Sequence, residues 1–478
     1  MLLSRLLENT GVKSYRNINI NKICINSKEV KKGDLFIAIK GSNYDGHDYI
    51  TDAINNGADA ILINNDNNIK YNSNVIKCNN TRDILGIICS NYYNNPSKEF
   101  TLIGITGTKG KTTTSFMIKK ILEESGFKVG LIGTLGSFVG DNKIYNNVRT
   151  TPDSLELQYI FRMMADLKCD YVVIEVSSQS LKLNRVIGSN FDIGVFTNFS
   201  EDHISEKEHK NMKDYFLSKT KLFDMTKIAI VNKDDKKTKD LKNLKRNNRY
   251  IEYGINDVSN IELDKDKTSY SVYINKVKEK VIIFMPGLFN IYNSLCAIKV
   301  CELLNISNED IIKGLKKVKV KGRNEFICNK YNLNIIIDYA HQESSMENIL
   351  KTTNEYKTGK LITVFGCGGD RDKSKRKKMG ELSGKLSDFT IITSDNPRNE
   401  SPRAIIKEIE EGIIPVTNNY LVIEDRIKAI KKAISLASKE DIILLLGKGH
   451  EDYQEINNKK YPFDERIIIK KIMDNEIW

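Results

Sequence analysis

The sequence has no stretch approaching the roughly 20 consecutive apolar residues that span a bilayer, so an integral membrane protein is not expected. The opening Met1-Leu2-Leu3-Ser4-Arg5-Leu6-Leu7-Glu8 is broken by charge before a signal-peptide apolar region develops, which makes the cytoplasm the expected compartment. Proline is scarce (7) and glycine ordinary (29), which excludes collagen-like chains and proline-rich disorder. The eight cysteines, Cys24, Cys78, Cys89, Cys169, Cys296, Cys301, Cys328 and Cys367, form no Cys-x-x-Cys pair and have no histidine at zinc spacing. Reduced structural thiols are expected, and a disulfide framework or zinc module is not. There is no internal repeat, and the one tryptophan, Trp478, stands last.

What is present is an ordinary globular composition, 40% hydrophobic and 28% charged, over 478 residues, a length that implies two or three domains. Seventy-four basic against 62 acidic residues give a formal net charge of +12. That sign suits nucleic acid, a membrane surface or an anionic small substrate. Much of the excess lies in two runs, residues 233–249 and 371–378, and such runs are usually solvated faces. Nothing resembles an aromatic-studded RNA-binding sheet or a recognition helix, so no nucleic acid and no membrane partner is expected.

Three α/β domains are expected. Residues 1–97 carry short β-rich runs (34–39 and 60–63) and a helical pattern over 49–57, and they end at the turn Asn94-Asn95-Pro96-Ser97-Lys98. Residues 98–328 repeat a buried strand followed by a helix, with apolar runs at 100–105, 171–176 and 191–197 that suit a mostly parallel sheet. Residues 329–478 offer strands at 331–338, 361–365, 389–393, 420–422 and 442–446 with helices between, a doubly wound, Rossmann-like pattern.

The clearest chemistry lies at Thr106-Gly107-Thr108-Lys109-Gly110-Lys111-Thr112-Thr113, between a strand and a helix. Glycines let backbone N–H groups reach phosphate oxygens, and the helix N-terminus favours their charge. Lys111 can reach the β- and γ-phosphates, and the Thr112 hydroxyl can bind Mg²⁺. Gly107, Thr108, Lys109, Gly110, Lys111, Thr112 and Thr113 are therefore candidate ATP-binding residues. Position 105 is Ile, so the loop is one glycine short of the usual G-x-x-x-x-G-K-[ST] pattern. Glu175 and His203 follow the next two apolar strands, where a carboxylate and an imidazole can converge on the loop and its Mg²⁺.

In the last domain three polar motifs follow three strands: Gly366-Cys367-Gly368-Gly369-Asp370-Arg371, Asp395-Asn396-Pro397-Arg398, and Gly447-Lys448-Gly449-His450-Glu451. Loops at neighbouring strand ends build one crevice. It presents both signs: Arg371 and Arg398 can pair a carboxylate, Asp395 and Glu451 can accept from an ammonium, and a zwitterionic substrate is expected.

Taken together and in order, these motifs resemble the Mur ligase family, the ATP-dependent amino-acid-adding enzymes of peptidoglycan synthesis and their folylpolyglutamate synthetase relatives. The family more often has Asn where this chain has Lys109. The resemblance implies ATP and two Mg²⁺ ions, with Thr112, Glu175, His203 and Lys219 as metal ligands. Lys219, in Tyr215-Phe216-Leu217-Ser218-Lys219, maps onto a lysine that the family carbamylates. It implies muramoyl contacts from Thr150, Thr151, Ser177, Arg185 and Lys219, with Leu183 standing where relatives have Gln. It also implies a UDP contact from Ser27, and adenine, ribose and phosphate contacts from Asn290, Arg323, Asp338 and His341. The Thr-Pro that usually follows the last of these is Gln342-Glu343 here.

In the resemblance, Asp395-Asn396-Pro397-Arg398 is the pattern of members that add meso-diaminopimelate, with Gly447 and Glu451 completing the site; members that add L-lysine lack the arginine. Diaminopimelate differs from lysine by one carboxylate, which Arg398 can pair. The implied reaction begins with the D-glutamate γ-carboxylate of UDP-N-acetylmuramoyl-L-alanyl-D-glutamate attacking the ATP γ-phosphate. The amino acid then attacks the acyl phosphate, in a monomeric enzyme whose catalytic residues are Lys111, Lys219, His203, Glu175 and Arg323. The alternatives are the same reaction with L-lysine or another diamine, a folylpolyglutamate synthetase and, more distantly, a basic P-loop ATPase acting on nucleic acid.

Overall fold

The computed structural model describes residues 1–14, 16–41, 44–65, 74–201, 204, 208–244 and 248–474. These residues group into two compact units: Met1–Ile255 with Tyr292–Gly314, and Asn256–Ile291 with Leu315–Trp478.

The first unit holds two sheets. The smaller has four parallel strands in chain order, Ile23–Cys24, Asp34–Ile37, Ala58–Asn64 and Asn74–Cys78. Its strands send alternate side chains to opposite faces: Leu35, Ile37, Ala60 and Leu62 join one apolar cluster, Phe36, Ala38, Ile61 and Ile63 another. Both faces are covered, which is why these strands read as continuous apolar runs. The helix Thr81–Tyr92, capped by the Asn80 side chain on the Arg82 N–H at 3.1 Å, packs so closely on residues 184–188 that a Cβ on Gly86 would lie 2.0 Å from the Ile187 carbonyl oxygen.

The larger sheet has eight strands in the order Arg249–Tyr253, Ile228–Asn232, Ile193–Phe196, Thr101–Thr106, Tyr171–Glu175, Val129–Gly133, Gly136–Val139 and Asn142–Tyr145. The first six are parallel and the last two antiparallel. The strand leading into the glycine loop, Thr101–Thr106, thus lies between Ile193–Phe196 and Tyr171–Glu175, and all three end at the same edge. One face packs on the helix Ser154–Asp166 through Leu157, Ile160, Phe161 and Met164.

The second unit contains a six-stranded sheet ordered Glu325–Ile327, Asn334–Asp338, Ile442–Leu446, Leu361–Phe365, Phe389–Ile392 and Tyr420–Val422, parallel except for its first strand. Ile336, Phe365, Ile392 and Leu444 bury against Met346, Met379 and Ile409 on one face. Ile335, Ile337, Val364 and Leu445 bury against Ala429, Ile430 and Ile469 on the other, so the sheet is doubly wound. The expected α/β class with mostly parallel sheets is what the chain adopts. Strand ends move by a few residues: 331–338 shortens to Asn334–Asp338 because Tyr331 and Asn332 turn, Asn332 at φ +54°. A three-stranded antiparallel sheet, Val258–Leu263, Thr268–Ile274 and Val277–Ile283, and a hairpin, Tyr453–Ile456 with Lys459–Pro462, complete this unit. All eight cysteines are free thiols, seven of them buried. No helix among the described residues is long and apolar enough to cross a membrane.

Candidate active site

The glycine loop is shaped by close approaches that only glycine permits. Gly107 has φ +147° and a Cβ there would lie 1.9 Å from Thr197 Oγ1; Gly110 has φ +84° and its Cβ would lie 2.5 Å from Asn293 Oδ1. The loop is held by the strand end beside it. Thr108 N–H donates to Asn198 O at 2.9 Å, Lys109 N–H to Asn198 Oδ1 at 2.8 Å, and Thr197 Oγ1 to Lys109 O at 2.7 Å. Lys111 opens the helix Lys111–Glu124, and its ammonium donates to Gly107 O at 2.8 Å and Thr108 O at 3.0 Å. Fully buried Lys219 donates to the same Gly107 oxygen at 2.8 Å, its Nζ 4.4 Å from the centre of the Tyr215 ring.

Glu175, at the end of its strand and 1% exposed, ties the loop to the next connection. Thr112 Oγ1 donates to Glu175 Oε2 at 2.9 Å, Thr134 N–H to Oε1 at 3.0 Å, and Thr134 Oγ1 to Oε2 at 3.1 Å. Gly133 must be glycine for this carboxylate to fit, since its Cβ would lie 2.1 Å from Glu175 Oε1. Thr150 Oγ1 lies 3.1 Å from Thr134 Oγ1. Thr151 Oγ1 donates to Glu175 O at 2.8 Å and accepts from Ser177 N–H at 3.0 Å. Arg185, 6% exposed, pairs Asp153 at 2.7 Å and reaches Thr151 O through Nη1. Thr112, Glu175, Thr150, Thr151, Ser177 and Arg185 are thus joined through hydrogen bonds around one sheet edge, and Lys111 and Lys219 share the Gly107 carbonyl beside them.

A hydroxyl and a carboxylate 2.9 Å apart beside a phosphate-type loop are the hard oxygen donors that suit Mg²⁺, so the residues fit that ion. His203 lies outside the described residues. Ser27 belongs to the smaller sheet's connections, its carbonyl accepting from Asn56 Nδ2 at 3.0 Å. Three residues escape the sequence reading: Thr134, Asn198 as a clasp on the loop, and Tyr215, whose hydroxyl donates to Thr108 Oγ1 at 3.2 Å. A Gly-Thr pair after a buried strand was the available signal for Thr134.

Within the second unit two clusters form. In the first, Asn290 and Asn324 both donate to Pro286 O, at 2.9 and 2.7 Å. Asp338 accepts from the N–H groups of Asn324 and Ala340 at 2.7 and 2.8 Å, and the Arg323 guanidinium lies 4.8 Å from the centre of the Tyr339 ring. Burial, reinforced by the Lys375 charge, pushes the His341 imidazole down to about 4. Burial with Arg323 nearby takes His450 to about 3. The Arg323 Nε is buried with no hydrogen-bond partner among the described residues.

The second cluster sits beyond the neighbouring strands Ile442–Leu446, Leu361–Phe365 and Phe389–Ile392. Asn396 Nδ2 donates to Glu451 Oε2 at 2.8 Å, and buried Lys448 donates to Asn396 Oδ1 and Glu451 Oε2, both at 2.8 Å, and to Tyr453 O. Gly447 has φ +104°, and a Cβ there would lie 2.5 Å from Asp395 Oδ2; Gly369 N–H donates to Asn396 O at 2.9 Å across Pro397. Arg398 Nη1 donates to Gly369 O at 2.7 Å, while Arg371 is exposed. Asp395, Asn396, Pro397, Arg398, Gly447 and Glu451 therefore come together, and Lys448, which the sequence places in the third motif without a role, ties Asn396 to Glu451.

The sequence matches the Mur ligase family catalytic domain over residues 19–93, the Mur ligase middle domain over 105–301 and the Mur ligase glutamate ligase domain over 322–449. It is 45% identical over 97% of its length, and 96% of the relative, to a UDP-N-acetylmuramoyl-L-alanyl-D-glutamate–2,6-diaminopimelate ligase of Caldanaerobacter subterraneus subsp. tengcongensis. It is 44% identical to one of Clostridioides difficile, over 98% of both chains. A solved structure of a ligase of the same name superposes with a TM-score of 0.70 at 26% identity, over 96% of this chain and 95% of that one.

Proposed function

The chain belongs to the Mur ligase family, and we propose that it joins meso-2,6-diaminopimelate to the D-glutamate γ-carboxylate of UDP-N-acetylmuramoyl-L-alanyl-D-glutamate, as a cytoplasmic monomer. It is an ATP-dependent ligase of peptidoglycan precursor synthesis. Residues 1–97 take the UDP end through Ser27, residues 98–328 the ATP, and residues 329–478 the incoming amino acid. What supports this reading most is Arg398, carried on the same loop as Asp395 and as Asn396, whose amide bonds Glu451, at one end of the second unit's sheet. A carboxylate-reading arginine among ammonium acceptors suits a substrate end that carries both charges.

The chemistry is mostly positioning. The glycine loop from Gly107 to Thr113 holds the ATP phosphates, and the Lys111 ammonium, already fixed against the loop's carbonyls, neutralises charge on the transferring group. Asn290, Arg323, Asp338 and His341 hold the nucleoside and phosphate. Thr150, Thr151, Ser177 and Arg185 hold the muramoyl-dipeptide. Thr112, Glu175, His203 and Lys219 as a carbamate would hold two Mg²⁺ ions, which supply further positive charge to the phosphoryl oxygens. The γ-carboxylate oxygen bonds the γ-phosphorus as the β,γ-bridge breaks, giving acyl phosphate and ADP. The amine of diaminopimelate, with Glu451 and Asp395 as acceptors, then attacks the carbonyl carbon, and phosphate leaves as the amine loses its proton.

The test is a mass-resolved assay of the UDP-tripeptide. Product and ADP should form in equal amounts only when the UDP-dipeptide, ATP, Mg²⁺ and meso-diaminopimelate are all present. ATP hydrolysis stimulated by nucleic acid, with no tripeptide formed, would overturn the reading.

A further inference from the structure

The hairpin Tyr453–Ile456 with Lys459–Pro462 is strapped to the loop that carries Arg398. Gln454 Nε2 donates to Asp395 O at 2.7 Å, Glu455 N–H to Asn396 Oδ1 at 2.9 Å, Arg398 N–H to Glu455 O at 3.0 Å, and Asn457 N–H to Arg398 O at 2.8 Å. Arg398 itself sits at φ +51°, a left-handed conformation that a long side chain seldom adopts and that its surroundings must hold in place. The strap supplies that restraint.

Its second effect is on the side chain. Arg398 Nε donates to Glu455 Oε2 at 3.0 Å and Nη1 to Gly369 O at 2.7 Å. Two fixed points on a rigid planar group set its plane. Nη2 makes no hydrogen bond to a described residue, so its hydrogens stay available, one of them on the end of the guanidinium that a carboxylate approaches. The pair is sheltered, with side chains 18% and 22% exposed. Lys460, which faces Glu455 across the hairpin, lies 4.0 Å over the Tyr453 ring.

We propose that Glu455 is a positioning residue for amino-acid selection: it orients the Arg398 guanidinium so that this end meets the distal carboxylate of the incoming diamino acid. This rests on the assignment of Arg398 to that carboxylate. An amide oxygen can accept from Nε as a carboxylate does, so the role belongs to the acceptor rather than to its charge.

The experiment measures KM and kcat of the full-length enzyme for meso-diaminopimelate, L-lysine, ATP and the UDP-dipeptide, in the wild type, E455A and E455Q. E455A should raise the KM for diaminopimelate about tenfold, the loss of one charge-assisted hydrogen bond, with kcat, the other KM values and the melting temperature unchanged. Its preference for diaminopimelate over lysine should shrink by the same factor, and E455Q should restore both to within about twofold, since its amide keeps the acceptor. An E455A enzyme with unchanged or lower KM for diaminopimelate, a parallel rise in the KM for ATP, or an E455Q as impaired as E455A would overturn the proposal alone. A wild type that uses L-lysine as well as diaminopimelate would overturn the Arg398 assignment, and the proposal with it.

Discussion

Lys448→Met is the perturbation with the largest consequence that the site's geometry allows. The lysine is 0% exposed, and its ammonium satisfies three acceptors: Asn396 Oδ1 and Glu451 Oε2 at 2.8 Å and Tyr453 O. Methionine fills nearly the same volume without a donor, so packing is conserved and the polar loss is isolated. Among the described residues Glu451 keeps the Asn396 amide as a donor and Asn396 Oδ1 keeps the Glu455 N–H, while Tyr453 O loses its side-chain donor. Removing one partner of a buried ion pair costs about 3–5 kcal/mol, and a stranded buried acceptor about 1–3 kcal/mol. A local loss of ~3–5 kcal/mol is expected after partial relaxation. Hydrogen exchange followed by mass spectrometry on peptides covering 442–462 reads that local stability directly. Exchange there should accelerate by about two to nearly four orders of magnitude, what that loss implies, while peptides from Thr101–Thr106 are unaffected. The KM for the amino acid should rise in step, because Glu451 and Asn396 lose their fixed positions. Unchanged exchange over 442–462, or a changed exchange with an unchanged KM, would refute the view that this lysine organises the amino-acid site.

Further expectations follow from other contacts. Glu175→Gln puts an amide NH₂ or a weaker acceptor against Thr112 Oγ1 and Thr134 N–H, and should lower kcat at saturating ATP about 100-fold or more, in the range for loss of a charge-stabilising group, measured as phosphate release across an Mg²⁺ series. Gly86→Ala places a methyl 2.0 Å from the Ile187 carbonyl; the helix Thr81–Tyr92 must shift, at about 1–3 kcal/mol, seen as a lower denaturation midpoint by circular dichroism. His341 and His450 are held neutral by burial, at about 4 and about 3 against an ordinary 6.5. The unfolded chain therefore takes up protons first, so stability is full above about 6.5 and falls as pH drops toward 4. A melting temperature that is flat between pH 7 and 4 in the wild type, or that falls equally in H341N, would contradict this.

The legible parts of the fold were those whose burial is written as a run. Leu361–Phe365 and Ile442–Leu446 are apolar at nearly every position because both faces of their sheet are covered, and their ends were read to the residue. Val258–Leu263 gives no such signal: its interior is exposed and, Ile261 apart, polar, and its pairing is supplied by Thr268–Ile274, not by its own pattern. In the site, motif residues were legible because glycine, lysine and threonine at fixed spacing imply phosphate. Thr134 and Lys448 were not. A single threonine after Val129–Gly133 and a lysine inside a charged motif acquire meaning only when folding brings them to Glu175 and to Asn396 and Glu451. Glu455 is hidden in the same way, since its partner stands 57 residues earlier in the chain.

On the arrangement around Arg398, this ligase selects a diamino acid by its second carboxylate. The direct measurement is kcat/KM for meso-diaminopimelate and for L-lysine in the wild type and in Arg398→Lys, with ATP and the UDP-dipeptide saturating. The wild type should prefer diaminopimelate by at least about 100-fold, the scale of an unmade buried polar contact, with the preference collapsing toward parity in the variant through loss of diaminopimelate turnover. Equal use of the two amino acids by the wild type, or an undiminished preference in the variant, would contradict it.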